Sequence, residues 1–237
     1  MTYPCAIFHE LINNLVPYED GLFLWLNGQH NTFFDSFMSI YSGRVIWLPF
    51  ILVALGVFTV KTKRLEALLV VLAIALVLTL CDQFASSIIK PLCERVRPTY
   101  YPGIEHLVHT VDNYRGGRFG FISSHSANGF GVATFASLLF RQRLFTFTIF
   151  LWASITAYSR IYLGVHFISD VVGGLIVGCL VGWAVYMLYT RARARFLHLS
   201  TSESKICVFE PFRAKILIYT LSASVLVISA ISAIRLF

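Results

Sequence analysis

The sequence predicts an all-α integral membrane protein, and three observations lead to this fold class. Of the 237 residues, 57% are hydrophobic, whereas soluble domains hold roughly 45–50% apolar residues. Long apolar runs recur along the chain, and several reach the ~20 residues that a transmembrane helix needs. The charged residues lie mainly between these runs. We therefore expect about six transmembrane helices, preceded by an amphipathic segment that lies in the membrane interface.

The N-terminal segment, residues 1–43, contains only short apolar runs that are interrupted by Asn, Gly and acidic residues. Neither of its two main runs is long enough to span a bilayer, so we expect one or two interfacial helices with Trp25 as an anchor. The segment has no Lys or Arg. We therefore expect no conventional secretory signal peptide, which begins with a basic region.

Six longer apolar segments follow the interfacial segment. They are residues 44–60, 65–89, 123–140, 144–158, 166–190 and 212–236. Pro91 is expected to end the second of them. The prediction thus divides the chain into the interfacial segment (1–43), a helical core (44–190), and a basic cytoplasmic loop with a C-terminal transmembrane helix (191–237).

The distribution of basic residues predicts the orientation of the chain in the cell (inner) membrane. Six spans place alternate loops on opposite sides, and one side collects Lys61, Lys63, Arg64, Arg141, Arg143, Arg191, Arg193, Arg195, Lys205, Arg213 and Lys215. By the positive-inside rule this side is cytoplasmic. The opposite side receives the N-terminal segment, the polar loop 90–120 and the turn 159–165. The net charge of +7 is spread over loops without interleaved aromatic residues, which argues against a nucleic-acid partner.

A ridge of small residues runs along the fifth apolar segment, formed by Gly174, Gly178 and Gly182. Small residues at this spacing allow helices to approach closely. The ridge favours packing within the chain. A homodimer face is the alternative, and nothing else in the sequence indicates one.

Three polar motifs stand at span ends on the predicted outer side. The first consists of Lys90 and the pair Arg97-Pro98, which six residues separate from Lys90. Alone, this pair of cations fits side chains that reach toward lipid headgroups. The second is Ser123-Ser124-His125, at the start of a helix whose free N–H groups favour an anion. Alone, it fits an ordinary interfacial histidine.

The third motif, Ser159-Arg160 followed by His166 and Asp170, joins a cation, an imidazole and a carboxylate in one short stretch. If His166 opens a helix, Asp170 lies one turn later on the same face and accepts a hydrogen bond from one ring nitrogen. The other ring nitrogen is then free to attack. Alone, the pair is as typical of a structural hydrogen bond as of a catalytic one, and the joint occurrence of the three motifs favours chemistry.

In this order and spacing, the three motifs resemble the signature of the type 2 phosphatidic acid phosphatase family of integral membrane lipid phosphatases. The resemblance covers roughly residues 20–190. One departure is the second motif, which usually reads Pro-Ser-Gly-His in the family and is Ile122-Ser123-Ser124-His125 here. Ser124 still offers its backbone N–H to an anion.

The resemblance implies a role for each motif residue. His166 attacks phosphorus to form a phosphohistidine, Asp170 fixes the His166 tautomer, and His125 protonates the leaving oxygen. The phosphoryl oxygens are bound by Lys90, Arg97, Ser123, Ser124 and Arg160. Fixed cations meet the phosphoryl charge, so this scheme needs no metal ion or other cofactor.

The implied substrate is a phospholipid or an isoprenoid phosphate in the bilayer. Undecaprenyl diphosphate and lipid A phosphates are favoured, and phosphatidic acid and phosphatidylglycerol phosphate remain open. The loop 99–119 is expected to shape the choice of headgroup.

Three alternatives compete with a hydrolase that acts through phosphohistidine. The same intermediate permits phosphotransfer to an acceptor other than water. A metal hydrolase is suggested by His106, His109 and Asp112, which lie in a polar loop without a helical frame. A transporter predicts charged residues in mid-span, and Asp82 is the only acid well inside a span.

Overall fold

The computed structural model describes residues 9–200 and 202–236, and over this part the chain is helical. The only sheet-like feature among the described residues is an isolated antiparallel bridge between Val96 and Phe119. The main helices are α1 (Val16–Asn27), α2 (Thr32–Ser42), α3 (Leu48–Thr59), α4 (Arg64–Cys93), α5 (Ser124–Phe140), α6 (Arg143–Tyr162), α7 (Ile168–Phe196) and α8 (Pro211–Ile234).

Four helices, α4, α6, α7 and α8, are long and apolar enough to cross a bilayer. A fifth span results if α2 and the residues Val45–Thr59, which meet at an angle of 69°, are counted as one broken span. The all-α membrane class is therefore confirmed, whereas the predicted number of six spans is not. The predicted third span corresponds to α5, whose 17 residues extend about 25 Å.

Large apolar side chains cover the outer surface of the long helices, as expected for a protein surrounded by lipid. Exposed examples on α4, α6, α7 and α8 are Leu68, Leu72, Leu144, Phe147, Leu180, Trp183, Tyr219 and Leu226.

The central helix is α5, which packs on α4, α6 and α7, while α8 packs on α2 and α3. The close approach of α5 and α7 depends on the glycine ridge. A Cβ atom added at Gly178 would collide with the Ala127 carbonyl oxygen, and one at Gly182 with the Gly131 carbonyl oxygen. The ridge is therefore filled by α5 of the same chain.

Three predicted boundaries differ from the structure. The helix α4 does not stop at Pro91 but continues to Cys93, because a π-helical stretch, Phe84–Ile89, already interrupts the hydrogen-bond ladder before the proline. The helix ends at Glu94, whose backbone is left-handed with φ of 44°. The fourth predicted span, 144–158, is longer in the structure, so Arg160 lies in the last turn of α6. The fifth starts at Ile168 rather than at His166.

The ends of the helices divide the polar residues into two groups. The end of α4, the start of α5, the end of α6 and the start of α7 meet at one end of the bundle and carry the three motifs. Basic loops meet at the other end, where Arg193 binds Glu66 at 2.8 Å and Arg213 donates to the Val57 carbonyl at 2.6 Å.

Candidate active site

The centre of the site is a buried pair formed by His166 and Asp170. His166 lies in the turn between α6 and α7 and is 2% exposed. Its Nδ1 atom is 3.3 Å from Oδ2 of Asp170. The same carboxylate oxygen accepts the backbone N–H of Phe167 at 2.9 Å, which caps the first turn of α7. With Nδ1 facing the carboxylate, Nε2 is the ring nitrogen that is not paired with Asp170.

Arg95, which the sequence analysis did not single out, holds the other oxygen of this carboxylate. Its Nη1 atom is 3.1 Å from Oδ1 of Asp170, and it also donates to the Ser169 hydroxyl. Its Nη2 atom forms an ion pair with Glu19 of α1. The guanidinium stacks over the Phe167 ring, 4.7 Å from the ring centroid, and the side chain is fully buried. Arg95 thus ties Asp170 to the N-terminal helix.

Arg97 lies beside this pair in the loop that follows α4. Its Nε atom donates to the Phe119 carbonyl at 3.1 Å, and Nη1 donates to the Val165 carbonyl at 3.3 Å. Gly120 allows the loop to pass close to the site, since a Cβ atom there would be 2.8 Å from Oδ2 of Asp170. Arg97 is therefore fixed by backbone carbonyls rather than by a carboxylate of its own.

Arg160 reaches the site from the last turn of α6 and is 3% exposed. It donates to the Ser42 hydroxyl at the end of α2 and to the Tyr114 hydroxyl, the latter at 3.3 Å. Its Nε atom is buried and has no hydrogen-bond partner within the described residues. A buried donor of this kind is available to an anion.

Lys90 and the start of α5 complete the arrangement. Lys90 Nζ donates to the Ser124 hydroxyl at 2.7 Å. The Ser123 side chain caps α5 by accepting the Ser126 backbone N–H at 3.4 Å, and the Ser123 backbone N–H donates to the Asp170 carbonyl at 2.9 Å. This last bond holds the starts of α5 and α7 together.

The charges of Arg97 and Arg160 act on both histidines, His125 and His166, so the two rings share one electropositive region. Burial, followed by the positive charges of Arg97, Arg160 and Lys90, lowers the pKa of His166 well below its ordinary value of 6.5. The ring is therefore neutral at pH 7, which is the form that can attack an electrophile.

The structure brings all eight predicted site residues together at one end of the bundle. It adds Arg95, which contacts Asp170, and Glu19, which contacts Arg95. Ser42 and Tyr114 are added by their contacts with Arg160. One signal could have found Arg95: it stands two residues before Arg97, and alternate residues of an extended segment lie on the same side. No signal in the sequence connects Glu19 or Ser42 to the motifs, because their contacts are long-range.

The comparison with protein families agrees with this arrangement. Residues 65–194 match the model of the PAP2 superfamily. The chain belongs to the PAP2 superfamily. The matched part of this PAP2 protein contains the eight site residues and Arg95.

Relatives with substantial identity carry names of lipid phosphatases. Over 191 residues, 81% of each chain, the protein is 40% identical to the lipid A 4'-phosphatase of Porphyromonas gingivalis. It is 41% identical over 186 residues to the lipid A 4'-phosphatase of Bacteroides thetaiotaomicron, covering 78% of this chain and 83% of the relative.

Two crystal structures share the fold of this PAP2 protein. Aquifex aeolicus LpxE covers 72% of this chain and 95% of its own, with a TM-score of 0.55 and 24% identity. The transmembrane PAP2-type phosphatidylglycerolphosphate phosphatase of Bacillus subtilis covers 81% of this chain and 94% of its own, with a TM-score of 0.60 and 22% identity.

Proposed function

We propose that this protein is a lipid phosphatase that hydrolyses a phosphate monoester of an envelope lipid through a phosphohistidine at His166. The observation that carries the proposal is the buried His166, held by Asp170 at 3.3 Å and surrounded by Lys90, Arg97 and Arg160. A neutral imidazole beside three cations is suited to attack phosphorus while the cations bind the phosphoryl oxygens.

The first step transfers the phosphoryl group to His166. The Nε2 lone pair attacks phosphorus, the bond from phosphorus to the lipid oxygen breaks, and the Nδ1 proton stays hydrogen-bonded to Asp170. The carboxylate stabilises the imidazolium that develops. His125 takes up a proton as the negatively charged phosphate binds beside it, and donates this proton to the departing lipid oxygen as a general acid.

The second step returns the enzyme to its starting state. His125, now neutral, accepts a proton from water, and the water oxygen attacks the phosphohistidine. The bond between phosphorus and Nε2 breaks, which releases inorganic phosphate. Throughout, Lys90, Arg97 and Arg160 stabilise the charge on the phosphoryl oxygens, as do Ser123, Ser124 and nearby backbone N–H groups.

The favoured substrate is lipid A carrying a 4'-phosphate, and this choice rests on the two relatives of that name. Undecaprenyl diphosphate ranks behind lipid A, since the relative named undecaprenyl-diphosphatase BcrC, from Bacillus subtilis, matches only 36% of this chain at 28% identity. The phosphatidylglycerophosphatase B of the same organism matches 44% at 32% identity.

The proposed location is the cell (inner) membrane, with the active site on the extracytoplasmic side. The basic loops gather at the end of the bundle opposite to the site, and the positive-inside rule assigns that end to the cytoplasm. Phosphate groups of envelope lipids exposed in the outer leaflet then meet the site directly.

A panel of lipid phosphates tests the proposal. Purified protein in detergent should release phosphate from lipid A faster than from undecaprenyl diphosphate or phosphatidylglycerol phosphate.

Substitutions at the site test the mechanism. His166→Ala should abolish phosphate release, and His125→Ala should reduce it about 100-fold or more. Arg97→Lys and Arg160→Lys should also lose activity, because lysine keeps the charge but lacks the guanidinium fork. Phosphate release that persists in His166→Ala would overturn the mechanism.

A further inference from the structure

A second cluster of polar side chains lies outside the catalytic arrangement. It is formed by His30, in the connection between α1 and α2, Asp35 in the first turn of α2, and His109 in the loop 99–119. The two imidazole rings stack with centroids 3.7 Å apart and an interplanar angle of 3°. Nε2 of His109 is 2.9 Å from Oδ1 of Asp35. Within the described residues, no other group of three potential metal ligands is found.

The geometry of this cluster fits a divalent transition-metal ion. One ligand atom from each of the three residues lies within 4.8 Å of the others. Around Zn²⁺, with bonds of roughly 2.0–2.2 Å, the ligand atoms of a tetrahedral site are about 3.3 Å apart. Because an imidazole nitrogen binds a metal ion in the plane of its ring, the exposed His30 ring has to rotate out of the parallel stack for both rings to bind one ion. Two imidazoles with one carboxylate are a donor set that suits Zn²⁺.

The surrounding residues hold two of the three ligands in place. The Tyr162 hydroxyl donates to Oδ1 of Asp35 at 2.7 Å, a contact of the kind that orients carboxylate ligands. The His109 backbone N–H donates to Oδ1 of Asn27 at 2.7 Å, and Asn27 in turn donates to the carbonyls of His109 and Tyr162. These bonds leave the imidazole of His109 facing Asp35 and His30.

The cluster differs from the metal-binding alternative that the sequence suggests. His109 belongs to both, but His106 and Asp112 are not part of the group that the structure brings together. The second histidine and the carboxylate come from the N-terminal part of the chain, about 75 residues away. The side chains of His109 and Asp35 are 23% and 26% exposed, so a metal ion can reach them from solvent.

We propose that His30, Asp35 and His109 bind one divalent cation of the Zn²⁺ class, with water at a fourth position. The ion fastens the loop 99–119 to the connection between α1 and α2. The same loop carries Tyr114, which contacts Arg160 at 3.3 Å. The ion thereby stabilises the loop beside the phosphate site and takes no part in phosphoryl transfer.

Titration with Zn²⁺ alone tests this proposal without relying on activity. The full-length protein is stripped with a chelator, returned to chelator-free detergent and titrated by calorimetry. The wild type should bind one Zn²⁺ per chain. His30→Ala and Asp35→Asn should weaken binding more than about 100-fold, and Tyr162→Phe about 10-fold, since outer hydrogen bonds to ligands contribute 10–100-fold in affinity.

His106→Ala is the matched control, because it removes a histidine from the same loop but outside the cluster, and it should bind Zn²⁺ as the wild type does. Thermal unfolding separates lost binding from misfolding. Without metal, His30→Ala should unfold at the temperature of the stripped wild type, and added Zn²⁺ should raise the unfolding temperature of the wild type and of His106→Ala but not of His30→Ala.

The cysteines of the chain are a competing source of metal ligands, and Co²⁺ distinguishes them. Binding at the proposed site should give visible absorption without a thiolate charge-transfer band. A wild type that binds no Zn²⁺, or binding that persists unchanged in His30→Ala, would overturn the proposal.

Discussion

The Asp170 carboxylate illustrates how single residues set the chemistry of this site. It accepts bonds from Phe167 and Arg95 while it faces Nδ1 of His166. A buried carboxylate needs such partners because its charge is costly to remove from water. Arg95 supplies the compensating charge, and Glu19 balances Arg95 in turn. The orientation of His166, the proposed nucleophile, therefore depends on a chain of contacts that extends to α1.

Replacing Arg95 tests this chain of contacts. Arg95→Gln should lower kcat by about tenfold or more, equivalent to about 1.4 kcal/mol, because Asp170 loses its fixed orientation. KM should change little, since Arg95 binds Asp170 rather than substrate, and Arg95→Lys should recover part of the activity. Steady-state kinetics measure the split, with Arg143→Gln, an exposed arginine at the opposite end, as the control. A rise in KM with unchanged kcat would contradict the positioning role.

The protonation of His166 is a second residue-level prediction. Because its pKa is lowered, the ring should still be neutral at pH 6.5, where an ordinary histidine is half protonated. It should gain a proton only at more acid pH, and the nucleophile should be lost there. Nitrogen NMR of histidine-labelled protein measures this, with the signal of His166 identified by its absence in His166→Gln. A His166 ring that titrates at or above pH 6.5 would show that burial and the nearby cations do not lower its pKa.

At the scale of helices, the sequence predicted the elements better than their ends. The length of the apolar runs locates α4, α6, α7 and α8. It does not reveal that buried polar residues such as Ser159 and Arg160 continue α6 at its C-terminal end. It also cannot show that a π-helical stretch makes Pro91 tolerable in α4. The three motifs were predictable because they are local patterns, whereas Glu19 and Ser42 join the site only through tertiary packing.

The packing of α5 on α7 gives a prediction for the helices. Gly178→Ala should lower the free energy of unfolding by about 1–3 kcal/mol, because the new methyl group collides with the Ala127 carbonyl. Gly56→Ala is the matched control, since nothing lies within 4 Å of a Cβ atom at that glycine of α3. Thermal unfolding in detergent, followed by tryptophan fluorescence, measures both. Equal effects of the two changes would argue against close packing at the ridge.

For the whole molecule, the proposed orientation in the membrane rests on the separation of the basic loops from the candidate active site. Cysteine labelling in intact cells tests it, in a background where the five native cysteines are replaced. Glu105→Cys, in the loop beside the site, should react with a membrane-impermeant reagent. Ser202→Cys, at the basic end, should react only after the cells are opened. The reverse pattern would overturn the proposed orientation.

If His166 carries the phosphoryl group during turnover, the phosphorylated enzyme can be trapped. Wild-type protein is mixed with lipid phosphate labelled at phosphorus, quenched in alkali, which preserves phosphohistidine, and digested for mass spectrometry. The label should be found on the peptide that contains His166, and His166→Ala should retain none. Turnover at the wild-type rate with no label on His166, or label on another residue, would show that His166 is not the phosphoryl acceptor.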